Sequence, residues 1–314
     1  MVDRPPLLVI AGPTGVGKTA AAVALAARLP IEVVSADSRQ VYRGMDVATG
    51  KPSAEERRAV VHHLIDVTDP DDRYDAARFA RDARAAIDAI RGRGRLPVVV
   101  GGTGLYIRAL LRGLDPATPA DPAFRAELTD LAAREGRAAL HARLAAQAPA
   151  LARRLHPNDH VRVIRALELV RAGSPVGDDR TRWREASREW DVVYVGLTLD
   201  RARLDARLRA RAAGWVAAGL EDEVRGLLAR GHAPTLPAMH GLGYREFARV
   251  VAGTLDRDEA LRLMQRDTLR YARRQWTWFG REPELGWIDV EAAEAAGGVA
   301  AAIEARLKQE GRIG

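Results

Sequence analysis

The 314-residue chain has no cysteine. That excludes disulfides, thiolate–zinc sites, iron–sulfur clusters and thiol nucleophiles together. Lysine is nearly absent as well: of 49 basic residues, only Lys18, Lys51 and Lys308 are lysines. No stretch reaches the ~18 uninterrupted apolar residues of a membrane span. The four apolar residues after Met1-Val2-Asp3-Arg4-Pro5-Pro6 are too few for a secretory signal. The sequence therefore predicts a cytosolic protein with no membrane partner. Low-complexity disorder is excluded in turn by the 47% apolar content, which lets the chain bury enough surface to offset its ordering entropy. The length fits one α/β domain with a smaller appended or inserted one.

Positive charge is unevenly placed. The whole chain is +7, yet residues 141–275 carry 25 arginines and 17 acids, so that segment is +8 and the remainder −1. A polyphosphate partner such as RNA explains this asymmetry. So does a set of solvated amphipathic helices, and charge alone does not choose between them.

The first half alternates strand and helix. Leu7-Leu8-Val9-Ile10 is a continuous apolar run stopped by Gly12-Pro13, the pattern of a buried strand. An alanine-rich helix is predicted from Ala20 to Leu29, closed by Pro30, and a second strand at Ile31–Ser35 with Asp37 just past its end. Asp75 to Ile90 has helical periodicity, and Pro97-Val98-Val99-Val100 is a third strand ending in Gly101-Gly102. These spacings predict βαβ units and a parallel sheet with helices on both faces. Near Gly113-Leu114-Asp115-Pro116 the pattern changes, and Asp121 to Arg171 reads as helix throughout, with turns at Gly136, Pro149 and Pro157-Asn158. A Gly/Pro/Asp-rich loop from Gly173 to Arg182 leads to another strand, Val192–Leu197, and helices fill the rest. The predicted organisation is an α/β core at 1–118 and 191–314 interrupted by an all-helical domain at 119–190.

Gly12-Pro13-Thr14-Gly15-Val16-Gly17-Lys18-Thr19 is a complete G-x-x-x-x-G-K-[ST] motif between a strand and a helix. Glycines there let backbone N–H groups turn inward around phosphate oxygens at the positive end of the helix dipole. Lys18 adds a mobile cation, and the Thr19 hydroxyl is a ligand for Mg²⁺. The motif specifies a polyphosphate ligand without saying which. The strand ending in Asp that completes the metal shell of most such ATPases is missing: Pro97–Val100 runs into Gly101-Gly102-Thr103-Gly104, and the nearest substitute is the short segment Leu64-Ile65-Asp66. Asp37, at the end of the second strand, projects instead toward the crevice where such sheets bind ligands, as a general base or as a turn residue. His62-His63 lacks ligand spacing and reads as structural. In Arg273-Arg274-Gln275-Trp276-Thr277-Trp278-Phe279, Ala272, Trp276 and Phe279 fall at core spacing, while the arginines face solvent or RNA.

Together these blocks closely resemble the tRNA dimethylallyltransferases. The loop is followed by Ser35-Ala36-Asp37-Ser38-Arg39-Gln40-Val41-Tyr42-Arg43-Gly44-Met45-Asp46. Then come His62-His63-Leu64-Ile65-Asp66, Gly101-Gly102-Thr103-Gly104-Leu105-Tyr106 and His156-Pro157-Asn158-Asp159. Arg162-Val163-Ile164-Arg165-Ala166-Leu167-Glu168, Leu199-Asp200-Arg201, Gly243-Tyr244-Arg245-Glu246 and Tyr271-Ala272-Arg273-Arg274-Gln275 complete the series. They run in the family's order over nearly the whole chain. Gly15-Val16 stands where Ala-Ser is frequent, and Ala48-Thr49-Gly50-Lys51-Pro52 varies a usual Gly-Thr-Ala-Lys-Pro.

The resemblance implies a P-loop kinase-like core that holds dimethylallyl diphosphate rather than ATP, and a helical domain gripping the anticodon stem-loop of tRNA. It implies transfer of the dimethylallyl group to N6 of the adenine next to the anticodon. Mg²⁺ on Thr19 is the expected cofactor, and with no heptad seam to demand an oligomer a monomer is expected. Gly12 to Thr19 would bind the diphosphate, with Thr14, Lys18 and Arg211 in the catalytic set and Asp37 as base. Ser38, Arg39, Gln40 and Thr103 would meet the flipped adenine and its backbone. Arg125, Asp159, His160, Val161, Arg162 and Val163 would face the RNA, with Arg162 and Arg165 on phosphates. Two other readings share the loop: a small-molecule or nucleotide kinase, and a nucleotide-dependent RNA-binding switch without transfer chemistry. Related enzymes that prenylate free adenine nucleotides leave the acceptor open.

Overall fold

The computed structural model describes residues 4–113, 121–173 and 189–313. The chain forms two compact units, Met1–Leu111 with Arg188–Gly314, and Arg112–Ser187. The expected boundary at 118/119, residues 114–116 of the anticipated break and most of the Gly173–Arg182 loop lie outside the described residues.

The first unit is built on six parallel strands: β1 (Pro6–Ala11), β2 (Ile31–Ser35), β3 (His62–His63), β4 (Leu96–Gly101), β5 (Asp191–Thr198) and β6 (Gly286–Asp289). Their order across the sheet is β3-β2-β4-β1-β5-β6. The central strands are the continuous apolar runs, because a parallel strand covered on both faces has no solvent side to vary. Leu8 pairs with Val98 and Val193, and Ile10 with Val100 and Val195.

Helix α1 (Lys18–Ala26) begins two residues before the predicted start, directly after Gly17 in the left-handed region. It also ends earlier than predicted. Arg28 and Leu29 both bond back to Leu25 O in a closing turn, since the residue before Pro30 is disfavoured in helical geometry. Helix α2 (Ala54–Ala59) opens on a Ser53/Glu56 capping box. Helix α3 (Ala76–Gly92) is capped by the Asp75 carboxylate and buries Phe79, Ala83, Ile87 and Ile90 along one stripe. Helix α4 (Gly104–Arg112) follows β4.

Two strands were not foreseen. β3 has two residues, too few for any periodicity, and pairs Val33 with His62. β6 is an edge strand of alternating exposure inside a stretch read as helical. Leu64 and Asp66 adopt positive φ (63° and 58°), so Leu64-Ile65-Asp66 is a turn and not a strand.

The second unit contains α5 (Pro122–Glu135), α6 (Arg137–Gln147), α7 (Pro149–Ala152) and α8 (His160–Arg171) around Phe124, Leu128, Leu140, Leu144, Val163 and Leu167. The Asp121 and Asp159 side chains cap α5 and α8. The chain returns through β5 to α9 (Arg201–Ala217), α10 (Leu220–Ala229), α11 (Tyr244–Val251), α12 (Arg257–Phe279), α13 (Val290–Ala295) and α14 (Val299–Gln309). Among the described residues no helix is long and apolar enough to cross a membrane.

Candidate active site at the C-terminal edge of the sheet

Because β2, β4 and β1 are neighbours, three loops leave the sheet side by side. They carry Asp37, the Gly101–Gly104 turn and the phosphate loop. A cavity of about 330 Å³ opens there. Its lining includes Thr14, Gly15, Gly17, Lys18 and Thr19 from the loop, Asp37 and Gln40 after β2, Val100 and Gly101 of β4, and Arg207 and Arg211 of α9. Gly12 can only be glycine: its φ is +141°, and a Cβ would stand 2.5 Å from Leu197 O. Val16 is completely buried and Pro13 is buried, so these two act through backbone and packing.

Lys18 turns its ammonium onto the loop, donating to Gly12 O at 3.0 Å and Pro13 O at 2.8 Å. Burial brings its pKa down to about 8; Asp37 opposes that shift and Arg211 adds to it. Arg211 is itself pushed below its usual range by burial, against the attraction of Asp37 and Glu56. Its guanidinium lies 4.7 Å over the Trp215 ring and beside Gly50, where any Cβ would overlap it. Arg207, one turn earlier on the same helix, lines the cavity and comes within 3.5 Å of Gly15 O. The sequence reading passed over Arg207; the i, i+4 spacing from Arg211 was the available signal.

Asp37 is both a turn residue and a cavity carboxylate. Its Oδ1 accepts from Arg39 N (2.8 Å) and Gln40 N (3.4 Å), which holds the carboxyl group in one orientation at the cavity wall. Ser38 N donates to Thr103 Oγ1 at 3.1 Å, tying the β2 loop to the β4 turn. The Gln40 side chain is engaged within the wall, accepting from Ser35 Oγ and donating to Gly50 O. Arg39 donates to Pro237 O and Ala238 O.

Two residues were missed by the sequence reading. Gln275 accepts from Thr14 N at 2.8 Å and donates to Gly102 O at 2.8 Å, so the amide of Thr14, a residue of the cavity lining, is already engaged. His62 lines the cavity with a buried Nε2 that has no hydrogen-bond partner among the described residues. Its Nδ1–H donates to Val60 O, and burial lowers its pKa, so the neutral ring presents Nε2 as an acceptor. His63 is structural: it meets the buried Glu32 at 2.7 Å. Asp66 lies outside the cavity lining and pairs with Lys51 and Arg57.

The comparisons agree on one family. The family model described as IPP transferase matches residues 40–282, and one described as isopentenyl transferase matches 5–67. The chain belongs to the IPP transferase family. A tRNA dimethylallyltransferase of Anaeromyxobacter dehalogenans is 51% identical over 290 residues, 91% of this chain and 95% of that one. Its counterpart in Desulforudis audaxviator is 45% identical over 311 residues, 99% of this chain and the whole of that one. The crystal structure of the full-length tRNA isopentenylpyrophosphate transferase of Bacillus halodurans superposes with a TM-score of 0.72 at 38% identity, covering 98% of this chain and 99% of that one. The parallel sheet with its phosphate loop is thus the P-loop kinase-like α/β fold of this family.

The second unit displays the remaining candidates on its own scaffold. Arg162 and Val161 are exposed at the start of α8, and His160 is half-buried. Asp159 spends its carboxylate on capping that helix, accepting from Arg162 N and pairing with the Arg162 guanidinium at 3.5 Å. Arg125 is held in a fork by Glu168, at 2.5 and 2.8 Å, and Arg165 meets the same carboxylate at 3.2 Å. Val163 corrects the sequence reading. It is completely buried in the unit's core, because it sits on the inward stripe with Leu167, and its side chain cannot face RNA. Ala272 and Phe279 are buried in the first unit, and Trp276 packs against its core.

Proposed function

We propose that this protein transfers the dimethylallyl group of dimethylallyl diphosphate to N6 of the adenine on the 3′ side of the anticodon, position 37 of tRNA, releasing pyrophosphate. The observation that carries the reading is a phosphate loop, its lysine and two arginines converging with one oriented carboxylate on a single cavity. Membership of the IPP transferase family supports it. So do its relatives, which are tRNA dimethylallyltransferases, and a solved eukaryotic dimethylallyltransferase acting on tRNA, 25% identical with a TM-score of 0.71.

The reaction forms an N6–C bond and breaks the allylic C–O bond. Negative charge grows on the leaving diphosphate, and preorganised donors that oppose it lower the barrier. The loop amides, the Thr14 hydroxyl, Lys18, Arg207 and Arg211 are those donors. The attacking amine gains acidity as its bond to carbon forms, so an ordinary carboxylate suffices to take the N6 proton, and Asp37 is that base. Its anchored Oδ1 leaves Oδ2 for the proton. The adenine must leave its stack to reach the cavity. Ser38, Arg39, Gln40 and Thr103 form the wall it enters beside.

The donor set fits magnesium shared with the substrate and not a protein cage. No cluster of three or more His, Asp or Glu able to hold a metal exists among the described residues. Mg²⁺ commonly keeps waters and takes one or two protein oxygens plus substrate phosphates, and the Thr19 hydroxyl would hold it. When bound it would neutralise charge on the diphosphate.

The helical unit binds the anticodon stem-loop through phosphates, with Arg162, exposed at the start of α8, as a contact. Catalysis proceeds in a monomer of the cytoplasm, where unmodified tRNA is found. The test is incubation of the protein with Mg²⁺, labelled dimethylallyl diphosphate and unmodified tRNA. Label on adenine 37, lost in Asp37→Ala, supports the reading. Steady ATP turnover without label would replace it with a kinase, and label on free AMP would change the acceptor.

A further inference from the structure

One face of helix α12 meets the loops of the site at positions 275 and 278. We infer that Gln275 of this face is a positioning residue that fixes the spacing between the diphosphate-binding loop and the acceptor wall. The inference rests on the transfer reaction proposed above.

The β1–β4 ladder ends at Ala11 paired with Gly101. Beyond that rung the two loops lead to different jobs, phosphate binding after β1 and acceptor contact after β4. Gln275 supplies the next rung from its side chain. It is 6% exposed, with Oε1 accepting from Thr14 N and Nε2 donating to Gly102 O, both at 2.8 Å. One residue past Gly102, the Thr103 hydroxyl accepts from Ser38 N, the neighbour of Asp37. Three hydrogen bonds, joined by the chain at Gly102-Thr103 and Asp37-Ser38, thus link the phosphate loop through Gln275 to the base.

The glycines of the β4 turn are what admit this helix face. A Cβ on Gly102 would overlap Gln275 Nε2, and one on Gly104 would overlap the Trp278 indole. Two glycines of the turn, Gly102 and Gly104, thus make room for one helix face.

In-line transfer needs the allylic carbon held between its leaving oxygen and N6, and displacement of either partner by about 1 Å costs on the order of a hundredfold. Loss of the rung lets the loop and the acceptor wall move independently. Water then competes for the carbon: the C–O bond to diphosphate breaks, the water oxygen bonds to the carbon, and its proton passes to solvent. The products are dimethylallyl alcohol and pyrophosphate.

The experiment counts pyrophosphate released per prenyl group placed on RNA. It uses the full chain, Mg²⁺, labelled dimethylallyl diphosphate and a saturating unmodified anticodon stem-loop, with RNA and donor affinities and thermal midpoints measured alongside. A wild type that releases pyrophosphate only by transfer should give a ratio of one. Gln275→Glu keeps an acceptor for Thr14 N–H and loses the donor to Gly102 O. Its RNA prenylation should fall by about tenfold or more, with RNA affinity unchanged and a ratio clearly above one. Gly102→Ala presses on the same amide from the other side and should raise the ratio too, which keeps the inference testable if one variant does not fold. Variants that stay at a ratio of one, however slow, overturn it, because a merely structural glutamine changes yield and stability without uncoupling. A wild type that transfers nothing refutes the transfer reaction itself and is recognised before any variant is made.

Discussion

Lys18 should make donor binding weaken above pH 8. In the free protein its ammonium is desolvated against Gly12 O and Pro13 O, which brings its pKa from 10.5 to about 8. A diphosphate placed in the loop favours the charged form and raises that pKa in the complex. The sign follows. Below pH 8 the cation is already present, and this group adds no pH dependence to affinity. Above pH 8 binding must take up a proton, so Kd rises by up to tenfold per pH unit until the pKa of the complex is reached. At pH 9 about one molecule in eleven carries the proton, so Kd should be about tenfold higher than at pH 7.5, or ~1.4 kcal/mol. The donor's own last ionisation lies below this window, near pH 6. Calorimetric titration with dimethylallyl diphosphate, without RNA, in two buffers of different ionisation enthalpy reads both the Kd and the proton uptake. Lys18→Arg should flatten the profile, since a guanidinium stays protonated. Arg211→Gln should move the break upward and Asp37→Asn downward, because Arg211 lowers and Asp37 raises the lysine pKa. A wild type with constant Kd to pH 9.5, or an unchanged break in Lys18→Arg, would refute the assignment.

Other substitutions separate chemistry, RNA binding and packing. Asp37→Asn should lower the single-turnover transfer rate by about 10²–10⁴ with tRNA affinity nearly unchanged; an equal loss of affinity removes Asp37 as base. Arg162→Ala should weaken tRNA binding evenly across sequences and reduce the salt slope of log K by about one, measured by filter binding between 50 and 200 mM salt. Gly101→Ala drives a Cβ into the Ala36 carbonyl, a backbone clash that cannot be relieved by a rotamer. It should cost ~2–3 kcal/mol in urea unfolding, and a change below ~0.5 would show that the strands yield. Glu168→Ala strips Arg125 and Arg165 of their shared carboxylate, whose side chain is 1% exposed. It should cost ~1–3 kcal/mol of stability, read as a lower thermal midpoint, and leave donor affinity intact.

The sheet was legible because its central strands announce themselves. Leu7–Ile10 and Pro97–Val100 are continuous apolar runs bounded by glycine, a pattern that a strand buried on both faces requires. The phosphate loop was legible because its chemistry is local: the glycines, lysine and threonine act where they stand in sequence. His62-His63 and Gly286–Asp289 were not, since a two-residue strand and an edge strand gain their pairing from a neighbour already in place. Val163 was misread for a related reason. The motif fixed which residues surround it, but the 3.6-residue period of α8, which turns 163 and 167 inward and 161 and 162 outward, decides what faces solvent. Gln275 was hidden most completely. It stands 261 residues from Thr14, within a helix whose visible signal was its arginines and aromatics.

Charge balance in the cavity argues for how the metal takes part. Lys18, Arg207 and Arg211 face it with Asp37 and Glu56, a surplus of one positive charge. A monoalkyl diphosphate above its last ionisation carries about three negative charges, so the filled loop would hold a net burden of about two. One Mg²⁺ supplies that amount, and the Thr19 hydroxyl is the loop oxygen suited to hold it. Arg211 already adds to the lowering of the Lys18 pKa that burial causes, so a further protein cation beside them would be costly. Donor affinity should therefore rise by about tenfold or more when MgCl₂ is added to metal-free protein, read by calorimetry without RNA. Thr19→Ala should keep the metal-free Kd and lose most of the gain. A variant that gains as much from Mg²⁺ as the wild type would assign the ion to the diphosphate and solvent alone, and the excess negative charge would then have to be met by the loop amides.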